Sequence, residues 1–123
     1  MILVDTSIWV DHVRRGDELL ASLLEKGEVL VHPFVIGELA LGSMARRDIV
    51  LNSLRRLPKA SVARDEEVIR FVGREALFGI GIGYIDAHLL AATRLTIGAT
   101  LWSRDRRLTA AAKKLSLAAQ LFH

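Results

Sequence analysis

The chain has 123 residues, of which 51% are hydrophobic, and a formal net charge of +3. This length fits one domain with its own core, predicted over 1–123, and argues against a second. The absence of cysteine excludes disulfides, zinc–thiolate sites and thiol catalysis, and is typical of a reducing interior. Because no leader peptide and no run of about 20 apolar residues is present, we expect a cytoplasmic protein without a membrane span.

Predicted strands and helices alternate along the chain. Short apolar or alternating runs predict strands, in chain order, at 2–5, 28–32, 59–63 and 99–103, with an edge strand at 117–122. Apolar residues at helical spacing predict helices at 6–15, 17–26, 33–42, 46–56, 65–78, 84–95 and 106–115. This alternation favours a parallel sheet with helices on both faces. We therefore predict an α/β fold, a three-layer α/β/α sandwich with a central, mostly parallel sheet.

Two carboxylates follow predicted strands. Asp5 ends the apolar run at the start of the chain, and Asp105 comes shortly after the strand at 99–103. If the strands are parallel, both acids lie at the carboxyl edge of the sheet, where α/β folds bind ligands. The alternative is that each aspartate only caps the helix that follows it, since aspartate is a favoured cap residue.

Two further acids lie within mostly apolar helices. We expect the Glu38 carboxylate, within FVIGELALG, to be at least partly buried, and Asp86 is flanked by similar apolar residues. Glu38 could instead pair with an arginine, and Asp86 could occupy an early helical turn. Four acids that converge raise one another's pKa and destabilise the fold unless a cation lies between them. Mg²⁺ and Mn²⁺ prefer carboxylate oxygens, so the conjunction favours a divalent metal site.

Four segments carry a resemblance to a known family: ILVDTSIWVDH, GELALG, YIDAHLLAA and LWSRDRRL. In order and spacing they resemble the motifs of PIN-domain ribonucleases, and most closely the VapC toxins of toxin–antitoxin pairs, over essentially the whole chain. The resemblance implies a catalytic quartet that holds Mg²⁺ or Mn²⁺, formed by Asp5, Glu38, Asp86 and Asp105. Thr6 and Ser103 would support this quartet through their hydroxyls, and Ser103 stands where many members have threonine. The implied reaction is hydrolysis of an RNA phosphodiester bond by a metal-activated water.

The sequence also predicts partners. The planar guanidinium group of arginine suits phosphate recognition. We therefore expect the RNA backbone to contact the arginines near the first and last helices, namely Arg14, Arg15, Arg104, Arg106 and Arg107. Apolar positions of the first helices, such as Trp9, Leu20 and Leu23, together with the apolar run near Leu41 to Met44, give more apolar surface than one small sheet can cover and predict exposed interfaces. We expect a homodimer and a groove that accepts a VapB-type antitoxin.

Three other enzyme classes fit the residues less well. A haloacid-dehalogenase-type phosphatase needs a second acid two residues after the first, where this chain has Ser7. A receiver domain needs an acidic pair after its first strand, and Asp5 is followed by Thr6. Ribonucleases of the RNase H type begin with an antiparallel meander, which the early helices exclude. A non-catalytic PIN-like module that binds RNA or a protein stays open as the alternative.

Overall fold

A three-stranded parallel sheet lies at the centre of the computed structural model, which describes residues 1–121. Its strands are β1 (Ile2–Val4), β2 (Val29–Leu30) and β3 (Thr100–Trp102), arranged in the order β2-β1-β3. The central strand β1 pairs in parallel with both neighbours. Two residue pairings extend the sheet beyond these strands, Val31 with Lys59 and Leu101 with Ala118.

Seven helices within the described residues surround the sheet, and most begin and end near the predicted positions. They are α1 (Thr6–Arg15), α2 (Glu18–Glu25), α3 (Pro33–Leu41), α4 (Arg47–Arg55), α5 (Asp65–Arg74), α6 (Tyr84–Leu95) and α7 (Arg106–Lys114). Proline is well placed at the start of α3, because the first helical N–H has no partner within the helix.

Both faces of the sheet are covered. Leu3 and Val4 are adjacent on β1, so their side chains point to opposite faces, and both are fully buried. The hydrophobic core joins β1 to buried residues of every helix from α1 to α7. The predicted α/β fold with helices on both sides of a parallel sheet is confirmed.

Three predicted elements differ from the structure. The fifth helix ends at Arg74 and not at residue 78, because Ala76 has a left-handed φ of 54° that does not continue a helix. The predicted strand at 59–63 is reduced to the single pairing of Lys59. The predicted edge strand at 117–122 is likewise one pairing, through Ala118, and residue 122 lies outside the described residues.

The predicted exposure of the first helices was wrong. Trp9, Leu20 and Leu23 are buried core residues, because α1 and α2 turn these side chains towards the sheet. The predicted exposure near Leu41 is confirmed, because Leu41 at the end of α3 is 90% exposed, and Ile49 on α4 is also 64% exposed. No helix within residues 1–121 is long and apolar enough to cross a membrane.

Candidate active site

The parallel pairing of β1 and β3 brings Asp5 beside Ser103. The Asp5 N–H donates to the carbonyl oxygen of Trp102 at 2.9 Å, which continues the strand pairing past the end of β1. Asp5 Oδ2 accepts hydrogen bonds from Ser103 Oγ at 2.7 Å and from Ser7 Oγ at 3.0 Å. Asp5 is 7% exposed, so these two hydroxyls fix a nearly buried carboxylate at the edge of the sheet.

Asp5 also caps α1, as the structural alternative predicted. Its Oδ1 accepts a hydrogen bond from the Thr6 N–H at 2.8 Å. The Thr6 hydroxyl donates to Glu38 Oε1 at 2.7 Å and so links the start of α1 to α3. The predicted burial of Glu38 was wrong: this residue is exposed, because Val35 and Leu39 occupy the inward side of α3.

Asp86 lies in the first turn of α6 and is half-buried. Its Oδ2 accepts a hydrogen bond from the Gly83 N–H at 3.1 Å, which is the early-turn role considered as the alternative. Burial raises the pKa of Asp86 most, the Gly83 hydrogen bond opposes this, and the carboxylates of Asp5, Asp105 and Glu38 raise it further. The four acids therefore share one electrostatic environment.

Asp105 caps α7 and contacts the same serine as Asp5. Its Oδ1 accepts a hydrogen bond from the Leu108 N–H at 2.9 Å. Its own N–H donates to Ser103 Oγ at 3.0 Å. Ser103 therefore joins two of the four acids, and Asp105 is the more exposed of the two.

The four acids offer the donor atoms that a hard divalent cation prefers, but they point towards protein donors. Among residues 1–121, no three histidine, aspartate or glutamate side chains stand ready to hold one ion. Within that part of the chain, one carboxylate oxygen each of Glu38, Asp86 and Asp105 accepts no hydrogen bond from the protein. Oxygen ligands of this type fit Mg²⁺ and Mn²⁺, so the residue set fits a cation after side-chain rotation.

The predicted RNA-contacting arginines are not equivalent. Arg104 pairs through Nε with Asp11 at 2.6 Å and through Nη2 with Asp17 at 2.8 Å. Arg15 pairs with Asp11 at 3.3 Å. A hydrogen bond from the Leu20 N–H, and then the Arg104 guanidinium, hold the pKa of Asp17 below its usual value. Arg104 therefore connects the β3–α7 loop to α1 and to the start of α2.

Arg107 instead packs against the glycine-rich loop that precedes Asp86. Gly81 has a φ of +86°, and a Cβ at this position would lie 2.6 Å from Arg107 Nη1. The positive φ favours glycine at this position, and any larger residue there would displace the Arg107 guanidinium from its present place. Among the described residues, Arg14, Arg106 and Arg107 form no salt bridge, which leaves their guanidinium groups available to an anion.

Sequence reasoning missed a chain of polar contacts between α5 and α6. The Tyr84 hydroxyl donates to Asp65 Oδ1 at 2.9 Å, and His88 Nε2 lies 3.0 Å from the same oxygen. The Tyr84 and then the His88 hydrogen bond lower the pKa of Asp65. Within residues 1–121, buried nitrogens of His88 and His32 have no hydrogen-bond partner, and the two ring centroids are 6.3 Å apart. The position of His88 two residues after Asp86 was the available signal.

Comparisons with known proteins identify the family of the chain. The family model described as "PIN domain" matches residues 2–114. The chain is 49% identical over 118 residues to "Ribonuclease VapC32" of Mycobacterium tuberculosis (strain CDC 1551 / Oshkosh), covering 96% of this chain and 95% of that protein. The same values hold for "Ribonuclease VapC32" of Mycobacterium tuberculosis (strain ATCC 25618 / H37Rv). This chain therefore belongs to the PIN domain family and, within it, to the VapC-type proteins.

Proposed function

We propose that the chain is the toxin of a VapBC toxin–antitoxin pair and acts as a metal-dependent endoribonuclease. One observation carries the proposal: the Ser103 hydroxyl joins Asp5 to the Asp105 N–H, and the hydroxyl of Thr6, next to Asp5, donates to Glu38, so hydrogen bonds gather three acids at one edge of the sheet. These three carboxylates also raise the pKa of Asp86. Clustered like charges of this kind destabilise a fold without a compensating cation. The ribonuclease name of the two relatives supports the same reaction.

Asp5, Glu38, Asp86 and Asp105 would hold Mg²⁺ or Mn²⁺ and form the catalytic centre. A divalent ion at such a site supplies a more acidic bound water and neutralises charge on the phosphate oxygens. Asp5 and Asp86, which are the more buried acids, are proposed as the inner ligands. Glu38 and Asp105, which are exposed, would orient water or a second ion.

Thr6 and Ser103 support the acids without touching the reacting atoms. The Ser103 hydroxyl donates to Asp5 and accepts from the Asp105 N–H, so it sets the relative positions of two acids. The Thr6 hydroxyl donates to Glu38 and restricts the rotation of that longer side chain. Because these hydrogen bonds already restrict the side chains, less conformational entropy is lost when the acids gather around a cation.

The RNA backbone would pass over the arginines near the acids. We propose Arg14, Arg15, Arg104, Arg106 and Arg107 as its contacts. Because Arg104 is already paired with two aspartates, it would contribute less to RNA binding than Arg106 and Arg107. Guanidinium groups at such positions increase affinity through phosphate contacts that carry no sequence information.

The proposed protein partners are a VapB-type antitoxin and a second copy of the chain. An apolar groove of about 220 Å³ lies beside α1 and α4 and suits an antitoxin helix or extended tail; its lining is Trp9, His12, Leu24, Ile49, Val50, Ser53, Leu54 and Leu57. The exposed apolar side chain of Leu41 at the end of α3 supports a homodimer contact. We also propose a single domain over 1–123 and a cytoplasmic location, where its RNA substrate is found.

Purified protein free of antitoxin should cleave RNA with Mg²⁺ or Mn²⁺. EDTA should stop the reaction, and Asp5→Asn should abolish it while the circular dichroism spectrum is kept. The alternative, a non-catalytic PIN-like module, is favoured by the present orientation of the acids towards protein donors. That module would bind RNA without metal-dependent cleavage, and cleavage that survives EDTA would contradict the metal mechanism. Light scattering at micromolar concentration tests the homodimer.

A further inference from the structure

A groove between α5 and α6 is rich in arginine and lies outside the acidic site. It has a volume of about 220 Å³. Residues from one side of α5 face residues from the last turns of α6 across it. Its lining consists of Ala63, Glu67, Arg70, Phe71, Arg74, Ala91, Arg94 and Leu95. We refer to this feature as the arginine groove.

The arginine groove carries excess positive charge. Arg70, Arg74 and Arg94 line it together with one acid, Glu67, and that acid accepts hydrogen bonds from Arg64. Beside the groove, the Glu75 carboxylate pairs with both Arg74 at 3.9 Å and Arg94 at 3.5 Å, so one acid is shared by two of the three guanidinium groups. Arg70 forms no salt bridge among the described residues. Arg70 and Arg74 are four residues apart on one helix, where like charges repel. A bound anion would relieve this repulsion.

One guanidinium is held in place before any ligand binds. The Arg94 guanidinium carbon lies 5.6 Å from the centre of the Phe71 ring, within the range of a cation–π contact. Phe71 is buried, so its ring cannot move away. A pre-positioned fork loses little conformational entropy when it binds a phosphate.

The arginine groove and the acidic site share a helix. Asp86 lies in the first turn of α6 and Arg94 lies eight residues further along it, which is about 12 Å along the helix axis. A dinucleotide centred on the acids would not reach Arg94, whereas a longer strand would. The groove therefore lies at a distance suited to RNA that flanks the cleaved bond.

We propose that the arginine groove binds backbone phosphates of the RNA substrate several nucleotides from the cleaved bond. The proposal rests on the proposed ribonuclease function and adds a second contact region to it. RNA phosphates are favoured over protein carboxylates as the occupant of the groove. The acidic site shares α6 with the groove, and its proposed substrate, RNA, has a backbone of regularly spaced anions. Three guanidinium groups in one groove match that repeated charge.

The test measures RNA affinity against salt concentration in an Asp5→Asn background with Ca²⁺ present. The variant is Arg70→Gln/Arg74→Gln, and the matched control is Lys113→Gln/Lys114→Gln on α7, which removes the same charge from an exposed helix face. For a single strand of about 12 nucleotides, loss of two phosphate contacts should flatten the slope of log affinity against log salt by about 1.4. The control should flatten it by much less.

The length of the RNA separates the arginine groove from the acidic site. The loss of affinity in Arg70→Gln/Arg74→Gln should grow from a trinucleotide to the longer strand. An equal loss for both lengths, or a slope equal to that of the control, would overturn the proposal. Competition of the longer RNA by millimolar inorganic phosphate in the parent but not in the variant would support the proposal, since it requires that RNA and phosphate share the groove. Phosphate binding at Arg70 and Arg74 that leaves the RNA affinity unchanged would indicate a free-phosphate site and overturn it.

Two further outcomes would identify a protein as the occupant of the groove or show that the proposed ribonuclease function fails. If the variant keeps the parent's salt slope but loses antitoxin binding or changes its oligomeric state, the groove is a protein interface and the RNA proposal is overturned. If the parent protein cleaves no RNA with Mg²⁺ or Mn²⁺, the proposed function fails irrespective of the groove. Metal-dependent cleavage by the parent together with parent-like slopes in the variant overturns the groove alone.

Discussion

Ser103 Oγ donates a 2.7 Å hydrogen bond to Asp5 Oδ2 across 98 residues of sequence. Removing this hydroxyl in Ser103→Ala should lower the rate of RNA cleavage by about 10-fold to 150-fold, because a hydrogen bond to a charged group contributes about 1.5–3 kcal/mol. Ser103→Thr keeps the hydroxyl and should keep most of the activity. Initial rates at saturating Mg²⁺ measure the effect.

The control for this serine is Ser61→Ala. Ser61 is exposed, and its side chain makes no hydrogen bond among the described residues. Its loss should leave the cleavage rate unchanged. A Ser103→Ala protein as active as the parent would show that the hydroxyl does not position Asp5 during the reaction.

Asp86→Asn should preserve or raise the melting temperature of the metal-free protein. Burial and then the neighbouring carboxylates disfavour the charged form of Asp86, and the asparagine amide oxygen can still accept from the Gly83 N–H. A gain of about 1 kcal/mol would correspond to a rise of about 4 °C. Thermal denaturation in EDTA measures it, and a loss of folding would favour a purely structural role for Asp86.

His32 should make the protein less stable in mild acid. Burial, and then the neighbouring His88, lower the pKa of His32 from 6.5 to about 4. Between these values the unfolded chain binds more protons than the folded one, so stability falls as pH decreases from about 6.5 to about 4. The full loss is about 3 kcal/mol for one group, and urea denaturation at a series of pH values measures it.

The matched variants for this histidine are His32→Asn and His12→Asn. His32 Nδ1 accepts a hydrogen bond from the Phe34 N–H at the start of α3, and asparagine can replace this cap without titrating. His32→Asn should therefore flatten the pH dependence by about one proton. His12 Nδ1 also accepts from a backbone N–H, and His12→Asn should leave the His32 contribution intact. An equally steep dependence in His32→Asn would contradict the assignment.

The arginines beside Asp105 should differ in their effect on RNA binding. Arg106→Ala/Arg107→Ala should flatten the salt slope by about one unit or more, since single strands lose about 0.7 per phosphate contact. Arg104→Ala should flatten it less and destabilise the fold more, because Arg104 pairs with Asp11 and Asp17. Salt titrations in the Asp5→Asn background, with parallel melting curves, measure both quantities.

A second arginine pair extends this test to α1. Arg14→Ala/Arg15→Ala should also flatten the slope, with Lys113→Ala/Lys114→Ala as the solvated control. Slopes equal to the parent's in both arginine double variants would mean that other groups position the RNA.

Local sequence patterns predicted the positions of the helices and strands well, but they predicted poorly which side of a helix is exposed. The helix after Asp5 begins and ends where its apolar spacing placed it, and the strand-end position of Asp5 was visible in the sequence. The exposure of Glu38 was mispredicted, because an apolar helix in a small domain still has one outer side, which the sequence does not identify. The contact of His88 with Asp65 joins positions 23 residues apart, and only the packing of α5 on α6 creates it.

The strand order β2-β1-β3 also determines when the acidic site can form during synthesis. The first strand lies in the middle of the sheet, and one of its two neighbours is Thr100–Trp102. Asp5 therefore lacks its Ser103 partner until residues near 103 have left the ribosome, although it is among the first residues made. Pairing between strands that lie so far apart in the sequence forms late in folding. A nascent chain of this protein thus stays without an assembled acidic site until almost all of its described length has been translated.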